Sequence, residues 1–110
     1  MSNRFDAEKD QKDWNIFFAD IVDDSLKQVF KKEGAKVIYD FLEKQAQLKL
    51  EDVANKPEVF SDNLAKLMLS AATIIEKLIL KNLYSGLGIK FEEKKGYKFA
   101  DYIKDARREN

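Results

Sequence analysis

Apolar residues recur at helical spacing through most of this chain, and their densest run lies just past its middle. From Leu67 to Tyr84 the stripe is Ala71, Ile74, Ile75, Leu78, Ile79 and Leu83, with Leu80 and Tyr84 beside it. The polar strip of that run is narrow: Glu76, Lys77, Lys81 and Asn82. A helix apolar over so much of its circumference is central to a fold, or central with an interface to a second chain. Upstream, Asn55-Lys56-Pro57-Glu58 is a helix start, because Asn is a capping type and proline is tolerated in a first turn. Phe60, Leu64, Leu67 and Met68 then follow at i, i+4, i+7 and i+8. The small residues Ser70-Ala71-Ala72 mark a place where the helix either continues or restarts, and Gly86-Leu87-Gly88 reads as its stop.

The flanking segments read as elements that pack on this run. Residues 1–12 are mostly polar and charged, with Phe5 set apart as a bulky apolar residue, and read as a flexible tail. Trp14, Phe17, Phe18, Ile21, Val22, Leu26, Val29 and Phe30 predict a helix over 13–32, broken at Gly34. Ala35, Ile38, Tyr39, Leu42 and Ala46 predict a second over 35–47, and residues 48–54 a short turn carrying Leu50 and Val53 to the core. After Gly88 the period changes. Ile89-Lys90-Phe91 and Tyr97-Lys98-Phe99 alternate around the polar Glu92-Glu93-Lys94-Lys95-Gly96, which predicts a β-hairpin. Phe99, Tyr102, Ile103 and Ala106 mark a final helix, with Arg107-Arg108 where cations suit the helix dipole. The expected fold is mainly α: a single helical domain over 13–108, four to five helices around a central one, with a short β-hairpin near the C-terminus.

Composition narrows what such a domain does. The chain has 110 residues, neither His nor Cys, and a formal net charge of zero. Without His it lacks the commonest general base and metal ligand; without Cys it lacks thiolate chemistry and disulfides. An enzyme is therefore not expected, and no catalytic residue, cofactor or metal is assigned. Residues 1–62 carry ten Lys/Arg against fourteen Asp/Glu, and residues 63–110 carry ten against six, a polarity open to head-to-tail contacts. Lys outnumbers Arg seventeen to three, which disfavours nucleic acid as a partner, since Arg makes the bidentate phosphate and base contacts. No apolar leader follows Met1, and Glu76, Lys77 and Lys81 interrupt the best candidate membrane span. The expectation is a cytoplasmic protein without a membrane partner.

Several stretches resemble a known family. They are Ser25-Leu26-Lys27-Gln28-Val29-Phe30, Ile38-Tyr39-Asp40-Phe41-Leu42-Glu43-Lys44, Asn55-Lys56-Pro57-Glu58-Val59-Phe60, the run from Glu76 through Leu83-Tyr84-Ser85-Gly86-Leu87-Gly88 to Glu93, and Gly96-Tyr97-Lys98-Phe99-Ala100-Asp101-Tyr102-Ile103. Together they resemble the fifth Nitrosopumilus output domain family, small domains of ammonia-oxidising archaea. The resemblance covers about three quarters of the chain, from Leu26 to Arg107, and leaves out Met1 to Trp14. It implies an output role in archaeal signal transduction, and no activity, cofactor or catalytic residue. The family favours glycine where this chain has Leu69 and Ala71, which implies somewhat relaxed helix packing there.

The residues that compete for a functional role fall into three groups. Leu67, Ala71, Ile74, Ile75 and Leu78 would form the exposed side of the central helix, with Trp14 and Phe18 as further anchors for a protein partner or a second copy. Lys90, Lys94, Lys95 and Lys98, interleaved with Phe91 and Tyr97, form a candidate basic patch. Ile79, Leu83, Phe91 and Tyr97 would line a pocket for a small apolar ligand if the hairpin stands off the central helix. Two acidic features are weighed beside these. Asp20, Asp23 and Asp24 share a helix face, which suits a hard cation but is more simply a solvated surface. Glu76 lies within the most apolar helix, where burial would raise its pKa. The reading that follows is a non-catalytic interaction module.

Overall fold

A computed structural model describes residues 7–109 as four α-helices and one 3-10 turn. Helix α1 spans Ala7–Ala46 but is interrupted at Lys31, whose φ of 62° and ψ of −178° are not helical. The interruption folds the helix back on itself. The Tyr39 hydroxyl donates to Asp23, sixteen residues away, a separation of about 24 Å along an unbroken helix. The two predicted helices are therefore present, and the break lies three residues before Gly34. Gly34 instead lets the fold close: a Cβ there would lie 2.6 Å from the Cβ of Phe30. Residues 7–12, expected as tail, belong to α1, and the remainder of that expected tail, residues 1–6, lies outside the described residues.

Leu48 and Val53 enter the core on either side of the 3-10 turn Leu50–Asp52. Helix α2, Pro57–Met68, starts with proline in its first turn as the sequence predicts. Its N-cap is Lys56, not Asn55; the Asn55 side chain instead accepts a hydrogen bond from Gln11 at 2.5 Å. Leu69 then takes a positive φ of 56°, and the chain restarts as α3, Ala71–Leu87. The small-residue joint is thus a real break. Helix α3 runs through Gly86 and ends at Gly88, a left-handed cap with φ of 72°. Gly86 serves packing, since a Cβ there would meet Phe17 at 3.3 Å and Ile21 at 3.4 Å.

The β-hairpin is not formed. Among the described residues there is no strand, and residues 89–98 are an irregular loop with a turn in which the Tyr97 N–H donates to the Lys94 carbonyl at 3.1 Å. Two contacts with helix α4, Phe99–Glu109, take the place of a ladder. The Tyr102 hydroxyl accepts from the Lys94 N–H at 2.8 Å and donates to its carbonyl at 3.2 Å. The Lys98 N–H donates to the Asp101 carboxylate at 2.8 Å, half of a capping box, so Phe99 is already helical and the second arm ends at Lys98.

Helix α3 packs against α1, α2 and α4, the central place its composition predicts. The core joins Phe18, Val22 and Leu26 of α1, Phe60 and Leu64 of α2, Ile79 and Leu83 of α3 and Ile103 of α4. Two buried polar side chains find hydrogen-bond partners. Ser25 donates to the Ile21 carbonyl at 2.7 Å and accepts from Asn82 at 2.8 Å, and Asn63 donates to the Val59 carbonyl at 2.9 Å. The Tyr84 hydroxyl, with its pKa pushed up to about 12 by burial, donates to the Tyr102 carbonyl at 2.7 Å.

Candidate functional site

The expected interaction face divides into a buried part and an exposed part. Trp14 and Phe18 are core residues, with rings stacked at 6.4 Å, and cannot anchor a partner. Their spacing is that of a helix docking on its own core. The Arg107 guanidinium covers the Trp14 ring at 5.5 Å, which further closes that surface. Ile75 is likewise buried. Leu67 and Leu78 are half-buried, while Ala71 and Ile74 are exposed. Ile74 is 70% exposed, and Leu69, which the sequence pattern did not single out, is 75% exposed. The signal for Leu69 lies in the break: its positive φ ends α2 and takes its side chain off the stripe. Ala71, Ile74 and Leu78 stand at i, i+3 and i+7 and share one side of α3, and the exposed Leu69 lies at the α2–α3 break just before that helix.

The four lysines of the expected basic patch do not act together. Lys90 pairs with Glu92 at 3.2 Å and Lys94 with Asp105 at 3.3 Å. Lys95 and Lys98 are exposed, with no ion pair among the described residues. Phe91 is half-buried between Tyr84 and Tyr102, with ring centroids at 5.3 Å to each, so it offers no free face for stacking a base.

The expected ligand pocket is present in altered form. A cleft of about 260 Å³ opens between α3 and the 89–98 loop, and Phe91 and Tyr97 line it. Ile79 and Leu83 do not, because both are fully buried in the core behind α3. The α3 wall carries Glu76 and Leu80, and Tyr102 completes the far side. Lys77 reaches across the rim to Glu93 at 2.5 Å, and this hydrogen bond holds the Glu93 carboxyl below its usual range. Opposite, Lys94 lies 5.1 Å from the Tyr97 ring centroid while Tyr97 donates to Asp105 at 2.7 Å. The cleft is therefore polar at its rim and aromatic on one wall.

Glu76 is the least conventional group in it. Its carboxylate accepts from the Ser61 hydroxyl at 2.6 Å, across from α2 to α3. Burial raises its pKa; the Ser61 hydrogen bond opposes that shift and the nearby Asp62 charge adds to it. It has no cation within ion-pair distance among the described residues. By contrast Asp23, on the acidic face of α1, is engaged by Lys27 at 2.8 Å and by Tyr39. Burial pushes the Asp23 carboxyl up, but those two hydrogen bonds outweigh it and hold the group below its usual range. Among the described residues no cluster of His, Cys, Asp or Glu is arranged to hold a metal ion, and no helix is long and apolar enough to cross a membrane.

Comparison of the chain with protein-family models, with curated proteins and with solved structures found no match.

Proposed function

We propose that this chain is a non-catalytic protein-interaction module that docks through the apolar face at the α2–α3 corner, and that its occupant is a second copy of the chain. The observation that carries the reading is the exposure of Leu69 and Ile74, the two most exposed large hydrophobic side chains among the described residues, five residues apart across the α2–α3 break. Full burial of such a side chain is worth about 1.5–3 kcal/mol, so covering both supplies a useful fraction of a weak association. Two-fold pairing is the commonest closed assembly, and a helix face that meets its own image needs no separate partner. The resemblance to an archaeal signalling output family fits an output delivered by contact. The charge pairs of Lys90 and Lys94 speak against a nucleic-acid reading.

The test is solution mass by light scattering over a wide concentration range, for the native chain and for Ile74→Glu. The native chain is expected to pass from monomer to dimer as concentration rises, and the variant to stay monomeric with unchanged helicity. A native chain that remains monomeric at millimolar concentration overturns the reading.

A further inference from the structure

We propose that the cleft between α3 and the 89–98 loop binds a small organic cation, an ammonium or methylated ammonium on a short carbon body. This does not rest on the docking reading. Ile74 and Glu76 are two residues apart on α3 and so leave the helix on opposite sides, which puts the cleft and the apolar face on different flanks.

Charge accounting inside the cleft points to a cation. Lys77 is committed to Glu93, and Lys94 to Asp105. Glu76 is left with the Ser61 hydroxyl alone, half-buried beside the apolar side chain of Leu80. A half-buried carboxylate without a counter-charge is partly desolvated, and an entering cation offsets that cost where an anion or a neutral apolar molecule does not. The opposite wall supplies the second element of such a site. Its exposed ring is Tyr97, which is 37% exposed and is backed by Tyr102 at 5.0 Å between centroids, with Phe91 5.3 Å from Tyr102. Aromatic faces attract cations through the ring quadrupole, and methylated ammonium groups are the ligands that suit such walls best. The protein's own Lys94 ammonium lies over Tyr97 at the rim, so that ring already carries a cation on one side. The cleft, of about 260 Å³, has room for a compact cation.

The experiment is a chemical-shift titration of the isotope-labelled full chain with tetramethylammonium chloride. Neopentyl alcohol serves as the neutral probe of similar shape and sodium acetate as the anionic one. Saturable shifts are expected at the amides of Glu76, Leu80, Lys94 and Tyr97, with affinity roughly tenfold weaker for the neutral probe. Glu76→Gln keeps a hydrogen-bond acceptor for Ser61 and is expected to lose roughly tenfold in affinity with its spectrum otherwise preserved. Tyr97→Leu, at an exposed rim position, provides the second variant and is also expected to weaken binding. Equal binding of cation and neutral probe, preference for acetate, native affinity in Glu76→Gln, or no saturable shift up to about 100 mM cation would each overturn the proposal.

Discussion

Three residues carry information that their neighbours do not. Lys31 sits at φ 62° and ψ −178°, a region that essentially only glycine occupies without strain. Lys31→Gly is expected to stabilise the chain by about 1 kcal/mol despite placing glycine within a helical sequence, read from urea unfolding monitored by circular dichroism. Gly34 behaves in the opposite sense. In an ordinary helix interior Gly→Ala gains about 0.5–1 kcal/mol, but here the new Cβ would overlap Phe30 Cβ at 2.6 Å. Gly34→Ala is therefore expected to destabilise by about 1–3 kcal/mol in the same measurement. The sequence showed that the chain must break near Gly34 and not that the strained residue is a lysine, because a positive φ at Lys31 leaves no mark in composition. Glu76 is the third. Its folded-state pKa lies above the usual glutamate value, so between those two values the folded chain holds a proton that the unfolded chain has lost. Stability contributed by this group falls as pH rises through that window and stays lower above it. Glu76→Gln is expected to flatten that part of the stability profile and to be at least as stable as the native chain at neutral pH, checked by thermal melts across the acidic range.

At the scale of elements, helices were legible and the C-terminal connection was not. Alternation at Ile89-Lys90-Phe91 is real, since Ile89 and Phe91 are partly buried while Lys90 faces water, but at Tyr97-Lys98-Phe99 only Phe99 is buried and Tyr97 is exposed. What alternation could not show was the pairing. Tyr102 satisfies both backbone groups of Lys94, and Asp101 caps the start of α4 at Lys98, so no arm is left to pair. The capping signal was in the sequence, an acidic residue three positions after the cap, but the strand pattern overlapped it. Tyr102→Phe keeps the ring and removes the hydroxyl that both contacts use. It is expected to cost about 1–2 kcal/mol and to speed hydrogen exchange at the Lys94 amide selectively. Unchanged exchange at Lys94 would mean that the loop is held by Phe91 and Ile89 packing alone. The candidate cleft follows from these ties: the loop is held to α4 through Tyr102 and to α3 through Glu93 and Phe91, and Tyr97 and Glu76 line the gap.

At the scale of the whole molecule, α3 faces both the core and water with side chains of the same kind, and this contrast separates folding from association. Ile79 and Ile74 lie five residues apart on that helix, one fully buried and one 70% exposed. Ile79 touches a core shared with α1, and truncation to alanine there removes buried methyl groups and leaves a cavity, at about 2–5 kcal/mol. Against the 5–15 kcal/mol typical of a domain, that is a large loss, expected at every protein concentration. Ile74 has little to lose within one chain, so Ile74→Glu is expected to leave the melting temperature unchanged in dilute solution within about 0.5 kcal/mol equivalent. Concentration is what distinguishes the two. If a second copy covers Leu69 and Ile74, binding to the folded state alone raises stability by mass action, and the native melting temperature climbs as protein is added. The same climb is expected in Ile79→Ala, displaced downward, because its docking face is intact. It is expected to vanish in Ile74→Glu. A melting temperature independent of concentration in the native chain, together with a purely monomeric mass, would leave the exposed pair as surface residues of a monomer and remove the basis for the docking face.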